Sequence, residues 1–560
     1  MSILLRTRWF TSPQLVLTLL FWCPLLAAQN PPIDQRANND AKFKIAGAVV
    51  SSLTGAPLGK ARVTLTDTAD RRNTAFIITT DNGRFTFAPL YRGKFSLQGA
   101  SRGYITAAYE QHDQFSTAIV TGADFNTEDL VLHLTPLAVL SGKVIDETGD
   151  PIRKANVVLY METHQFGMKR TGPVAGDSTD DQGYYEFAAL APGNYFVSVS
   201  AQPWYAIHPF SSSPRANNLP PNVSPSLDVA YPTTFNNGAT DSQAATPITI
   251  HGGEHLQIDV HVSPVPVLHL IFRTPEDQQQ GQGISMPVFE KRVFDGIEYV
   301  SSEGMQPIST GVYELTGIPA GKYSVRMQHP GSRQSQQSAE MNLVNDGQAL
   351  DVAQSVPSSS IKLIVKMPAR ESQPKQLNIA LQDSRMYVVA FQAVDSSGEA
   401  AFEGIPAGKY RIFVSSPDKR YSVVRTASAG SETPGQELNV TSSSALSSTV
   451  FLADGLVSVE GFVNRAGKPS SGVMVALIPK DPQSHLDMFR RDQSDSDGSF
   501  VLRGVIPGTY TLIAVEDAWD FPWQQPDALH RYLEHGQNLT IGELMTNTVY
   551  LPDPIEAQPH

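Results

Sequence analysis

Five times along this 560-residue chain one spacing returns: a glycine, apolar residues two, four and seven places on, a second glycine at ten, and a ring or large apolar residue at twelve. The copies start at Gly83, Gly183, Gly311, Gly398 and Gly498; the first runs Gly83, Phe85, Phe87, Leu90, Gly93, Phe95 and the last Gly498, Phe500, Leu502, Val505, Gly508, Tyr510. Self-similarity at a long period means that one structural unit has been copied, and this fixes the architecture before any local motif is weighed.

After the first glycine apolar and polar residues alternate, as in Phe85-Thr86-Phe87 and Tyr185-Glu186-Phe187, which is the period of a strand with one buried face. Turns at Pro192-Gly193, Pro319-Ala320-Gly321, Pro406-Ala407-Gly408 and Pro507-Gly508 lead into a second alternating run. Upstream, Gly47, Val49, Pro57, Ala61, Val63 and Leu65 correspond to Gly142, Val144, Pro151, Ala155, Val157 and Leu159, and to a similar set from Gly461 to Leu477. The third and fourth copies have lost most of this half. Short strands, Gly/Pro turns and little helical periodicity predict an all-β chain of about five small antiparallel sandwiches in a row. Their expected spans are 42–135, 137–263 with a long loop at 203–247, 265–356, 359–453 and 455–553. Short linkers predict a rod-like row in which neighbours touch. An insertion at Pro526 to Glu534 places Leu529, Tyr532 and Leu533 at helical spacing.

Residues 1–28 have the layout of a signal peptide: Arg6 and Arg8, an apolar run from Leu15 to Leu26, then Ala27 and Ala28. The run is short of the roughly 20 residues that cross a bilayer. Export to the periplasm, cell surface or medium is expected, with no transmembrane segment after cleavage. The lone Cys23 would leave with the signal, so neither disulfides nor a thiol nucleophile remain. The net charge of −13 becomes −15 without Arg6 and Arg8, a balance that disfavours nucleic acid.

The half-repeat of glycine, valine, proline and a small-x-Val-x-Leu strand, followed by Asp81-Asn82-Gly83-Arg84-Phe85-Thr86-Phe87 and a Gly-aromatic strand, resembles the carboxypeptidase regulatory-like domain. That family is a transthyretin-like sandwich, similar in pattern to collagen-adhesin B-type repeats. The resemblance implies a non-catalytic module.

Candidate sites have to be judged against the repeat. His251-Gly252-Gly253-Glu254, with His255 and His261 nearby, has the spacing of a zinc ligand pair, but Gly347-Gln348, Gly435-Gln436 and Gly536-Gln537 occupy similar places, so a turn is expected first. Asp495-Ser496-Asp497-Gly498, like Asp180-Asp181-Gln182-Gly183, resembles a calcium loop, yet the third and fourth copies keep the turn with Ser309 and Ser396 where an acid would stand. No cofactor is therefore expected, with calcium the residual alternative. Aromatic loops are the stronger ligand candidates: Trp204, Tyr205 and Phe210 in the second domain, and Trp519, Phe521 and Trp523 in the fifth. Trp204 and Trp519, however, stand eleven residues after the second glycine, as Tyr104 does, a place that suggests packing against the end of their own sandwich first. The expectation is a non-enzymatic exported scaffold that binds polysaccharide or an envelope protein through strand-end loops. A hydrolase built around His251, Glu254 and His255, and an inert stalk, are the competing expectations.

Overall fold

The structure, a computed structural model, describes residues 42–122, 125–165, 168–209, 224–273, 286–328, 338–350, 359–368, 372–384, 386–417, 420–428, 430–441, 444–519, 526–545 and 547–560. The expected signal peptide, Cys23, Phe210, Phe521 and Trp523 lie outside the described residues.

One topology is repeated five times. In the first domain, Phe43–Ser51 pairs antiparallel with Arg84–Leu90, the strand that follows the repeat's first glycine, and parallel with Leu130–Leu134, the last strand. Ala138–Ile145 is placed in the same way between Tyr184–Leu190 and His255–Gln257. So are Val265–Arg273, Ser359–Lys366 and Val457–Arg465 in the three later domains. The facing sheet is centred on a strand such as Arg62–Asp67, held between a hairpin partner, Thr74–Ile78, and the strand after the second glycine, Lys94–Ala100. Each pair of sheets closes over its own apolar cluster, so the five sandwiches have five cores. The third and fourth domains keep this topology although their upstream spacing has decayed. The strands that pair to the repeat's own two are enough to specify it.

Two features of the repeat have direct physical causes. Gly83, Gly183 and Gly498 sit in the left-handed region (φ 73°, 74° and 78°), and a Cβ there would lie 2.6, 2.7 and 2.5 Å from the first strand's Val49, Val144 and Val463 carbonyl oxygens. Any side chain would force that strand away. The residue at twelve is a buried tyrosine in four copies, and its hydroxyl donates to the carbonyl four residues earlier: Tyr195 to Ala191 (2.7 Å), Tyr323 to Pro319 (2.8 Å), Tyr410 to Pro406 (2.8 Å) and Tyr510 to Ile506 (2.6 Å). The ring fills the core while its hydroxyl ties the crossover turn.

The described part of the long loop joins two domains. Val229–Ala230 adds to the third domain's sheet beside Val265–Pro266, and Thr234–Phe235 pairs back to Ser198–Val199 in the second. The expected helical insertion is a helix over Pro526–Leu533 that buries Leu529 and Tyr532.

Neighbouring domains touch, as expected of a rod-like row, but the rod shape is corrected. The first and fifth domains dock on each other, joining residues about 400 apart in sequence. Gln493 donates from Nε2 to the Glu110 carbonyl (2.6 Å) and the Thr117 hydroxyl (2.9 Å), and its Oε1 lies 3.1 Å from His112 Nδ1. The backbones also meet: Ser496 N donates to Ala118 O (3.0 Å), and Ala118 N donates to Asp495 Oδ1 (2.9 Å). Lys94 Nζ pairs with Asp495 Oδ2 at 2.9 Å. Trp519 stacks on His112 with ring centroids 4.8 Å apart and planes 4° from parallel. Gln493, Thr117 and Ser494 are at most 1% exposed, so the junction excludes water as a domain interior does.

The neighbouring junctions complete the circuit. Phe294 of the third domain enters the second between Tyr160, Phe196 and Phe235, with centroids 4.6 to 5.4 Å apart. Tyr387 of the fourth meets Arg170 of the second and Arg292 of the third. Ser422 of the fourth donates to Asp487 of the fifth. The sandwiches are successive in sequence but closed into a ring in space, because polar residues on loops of the end domains complement each other.

Candidate functional site

The aromatic candidates divide. Trp519 is 8% exposed and packs with Leu529, Tyr532 and the first domain's His112, so its faces are not offered to a ligand. Trp204 is 89% exposed and meets Tyr205 edge-on at 5.9 Å. Tyr205 and Tyr231 both donate their hydroxyls to the carboxylate of Glu147, the second at 2.8 Å. Burial, and then the hydrogen bond and charge of Glu147, push the Tyr205 phenol up to about 12, so it stays a donor at neutral pH.

The Asp-Gly and His-Glu motifs are structural turns. Asp495 has both carboxylate oxygens engaged across the junction, one with Lys94 and one with Ala118 N, and Asp497 accepts from Ser499 N at 3.0 Å. In the fourth copy Asp395 accepts from Ser397 N and Glu399 N, as Asp180 does from Gln182 N and Tyr184 N in the second. The turn's acid therefore survives there, three places before the glycine. His251 and Glu254 close a turn on each other, with His251 N donating to Glu254 Oε2 (2.7 Å) and Glu254 N to His251 O (3.2 Å). That interaction holds the Glu254 carboxyl below its usual range. His255 and His261 are exposed on neighbouring strands. Among the described residues no three His, Cys, Asp or Glu side chains gather as a metal-ligand group.

Tyr231 leads from the aromatic pair into a cleft of about 470 Å³ between the second and third domains, a volume in the range of small-ligand sites. Its second-domain wall carries Arg153, Lys154, Gln202 and Tyr231; its third-domain wall carries Lys291, Glu298, Tyr299 and Glu303. Tyr299 is 63% exposed on the strand Gly296–Val300. Ser200 and Thr233 donate to the two oxygens of Glu298, and Gln202 donates to Glu303, so both carboxylates have partners. Lys291 donates to the Thr240 carbonyl at 2.9 Å, and its burial holds the ammonium below the usual lysine range against the pull of Glu298 and Asp241. Arg153 and Lys154 are exposed and form no ion pair among the described residues.

Beside the cleft a buried polar chain fixes the two walls. His269 Nδ1 lies 2.8 Å from Glu314 Oε1 and its Nε2 lies 2.8 Å from Asp228 Oδ2, while His208 reaches the other oxygen of Asp228 at 3.1 Å. An imidazole facing carboxylates through both nitrogens donates from both, which is the protonated form. Burial opposes that charge, but the hydrogen bonds to Asp228 and Glu314 outweigh it and raise the His269 pKa. Asp228 immediately precedes Val229–Ala230, so this chain anchors the long loop on the third domain.

The repeat spacing points to none of these cleft residues. A partial signal lay in Glu314, a lone acid within the strand Val312–Pro319 whose central residues are all buried. His269 stands at a register shift between Leu268 and Leu270 that re-aims its side chain, which periodicity does not show.

Two family models match parts of this chain. The carboxypeptidase regulatory-like domain matches at residues 44–132 and 139–207, and the family described as BOS complex subunit NOMO1-like, second beta sandwich domain, matches at 454–529. No curated protein matches the chain. Similar solved structures include the Bacillus anthracis TIE protein, at 12% identity over 73% of this chain and 74% of that one, with a TM-score of 0.17. A streptococcal ancillary pilin is 15% identical over 52% of this chain and all of its own, with a TM-score of 0.19. BcpA, the major pilin subunit of Bacillus cereus, is 13% identical over 56% of this chain and 99% of its own, with a TM-score of 0.13. Scores this low carry no inference about role. No helix among the described residues is long and apolar enough to cross a membrane.

Proposed function

We propose that this chain, built from carboxypeptidase regulatory-like domains in tandem, is an exported, non-catalytic scaffold that holds a polysaccharide at the junction of its second and third sandwiches. The supporting observation is the combination of Trp204, 89% exposed beside Tyr205, with a polar cleft that carries a second exposed ring, Tyr299. Exposed rings next to fixed hydrogen-bonding groups suit a sugar, which presents an apolar face and a fringe of hydroxyls. Closure of the end domains makes the chain a poor spacer and a suitable frame, since it fixes the cleft between rigid neighbours.

The purified mature protein, screened on insoluble and arrayed glycans, is expected to bind at least one. Trp204→Ala with Tyr299→Ala should weaken that binding roughly tenfold or more, because central aromatic anchors dominate recognition. The melting temperature should hardly change, since both rings are largely solvated. A wild type that binds no glycan, or a double variant that binds as well, contradicts the assignment.

A further inference from the structure

We infer that the glycan held in this cleft is acidic, a sugar chain bearing uronate carboxylates; this rests on the sugar assignment above and adds the sign of the ligand's charge. The protein as a whole is strongly negative, with a formal net charge of −13. Its surface therefore repels anions unless a local arrangement overrides it. The cleft is such an arrangement.

Three cations line it, Arg153 and Lys154 on one wall and Lys291 on the other. The two carboxylates that share the lining, Glu298 and Glu303, are already hydrogen-bonded by Ser200, Thr233 and Gln202. They hold the walls in place and leave the cations available. Arg153 and Lys154 stand exposed without an ion pair among the described residues. Lys291 is desolvated, with a backbone carbonyl as its hydrogen-bond acceptor. Glu298 and Asp241 lie close enough to pull on this half-buried ammonium without a direct hydrogen bond to it. An incoming carboxylate adds the charge-assisted contact it lacks, which gains where water is partly excluded.

The repeat again separates fold from function. Lys154 adopts φ 57° and Lys60, its counterpart in the first domain, adopts φ 59°, so a lysine in this conformation belongs to the turn. The residue before it is Gly59 in the first domain and Arg153 in the second. The added arginine and the opposing Lys291 are what turn a structural position into a basic mouth. Tyr299 lies among them, and a guanidinium fork matches a carboxylate held beside a stacked ring.

The test uses oligogalacturonate and its methyl ester, which differ in charge but not in ring stereochemistry, and measures binding to the mature protein by calorimetry. The acid should bind at least about tenfold more tightly than the ester, and Arg153→Gln with Lys154→Gln should remove that preference, as expected for lost charge-assisted contacts. Both residues are exposed, so an unchanged melting curve will show that the variant is folded. Raising the salt concentration should weaken the acid and leave the ester alone. Equal binding of acid and ester, or binding to neutral glycans only, overturns the acidic assignment and leaves the sugar assignment standing. A wild type that binds no glycan overturns both.

Discussion

Trp519→Ala should cost the fifth domain about 3–5 kcal/mol, in the range of buried large-to-small replacements, and should open the ring. The indole is 8% exposed, sits among Met474, Ile513, Leu529 and Tyr532, and presents one face to His112 of the first domain. Truncation removes both the packing that anchors the helix Pro526–Leu533 and the stacking that joins the ends of the chain. Denaturant unfolding should show the loss, and small-angle scattering should show a larger maximum dimension. His112→Ala separates the two effects because it lies on the other side of the junction. It deletes a stacked pair worth roughly 1 kcal/mol, leaves the Oε1 of the buried Gln493 without its imidazole partner, and keeps the fifth domain's own core intact. The expected result is a wider particle with nearly unchanged domain stability. A compact particle from both variants would mean that the stacking does not hold the ends together.

The second large effect lies beside the cleft. His269→Ala should destabilise the second–third domain unit by about 3 kcal/mol or more, because it removes the imidazolium facing Glu314, which is 0% exposed. The same group sets a pH dependence whose sign follows from its raised pKa. A proton held more tightly in the folded state than at the ordinary value of 6.5 stabilises the fold fully below that value. The contribution is then lost as pH rises through the higher folded pKa. Titratable groups face His269 from each side: Asp228 on the long loop, Glu314 on the neighbouring strand, Asp346 at its backbone N–H, and His208 behind Asp228. Melting temperatures measured across neutral to alkaline pH should fall in the wild type and stay flatter in His269→Ala. The same fall in both proteins would remove His269 as its source.

How much of this was legible in the sequence depends on range. The sandwich is written locally: a glycine that must be left-handed, a tyrosine that ties its own turn, and alternating strands a few residues apart. Five copies of that pattern carried the fold even where the upstream half had decayed. The ring was not legible. Asp495-Ser496-Asp497 has the look of a cation loop because its acids are spaced for one, and the cation that meets Asp495 is Lys94, 401 residues away. Trp519 shares its place in the repeat with Tyr104 and Trp204, which already suggests a ring packing the end of its own sandwich, but nothing local shows that part of its cover comes from the first domain. The cleft was half legible. Trp204 and Tyr205 stand out as excess rings, whereas Arg153, Lys291 and Tyr299 come together only when two domains meet.

The contact between Lys94 and Asp495 offers the most direct test of ring closure. A water-soluble carbodiimide joins an amine to a carboxylate only when they touch, and these two lie 2.9 Å apart with side chains 33% and 16% exposed. Treated at dilution, the wild-type monomer should yield a peptide pair joining residue 94 to residue 495 within one chain, and His112→Ala should yield less of it. A monomer in which that pair never forms, while Lys362 and Glu399 of the fourth domain at the same 2.9 Å spacing do cross-link, would contradict the closed ring.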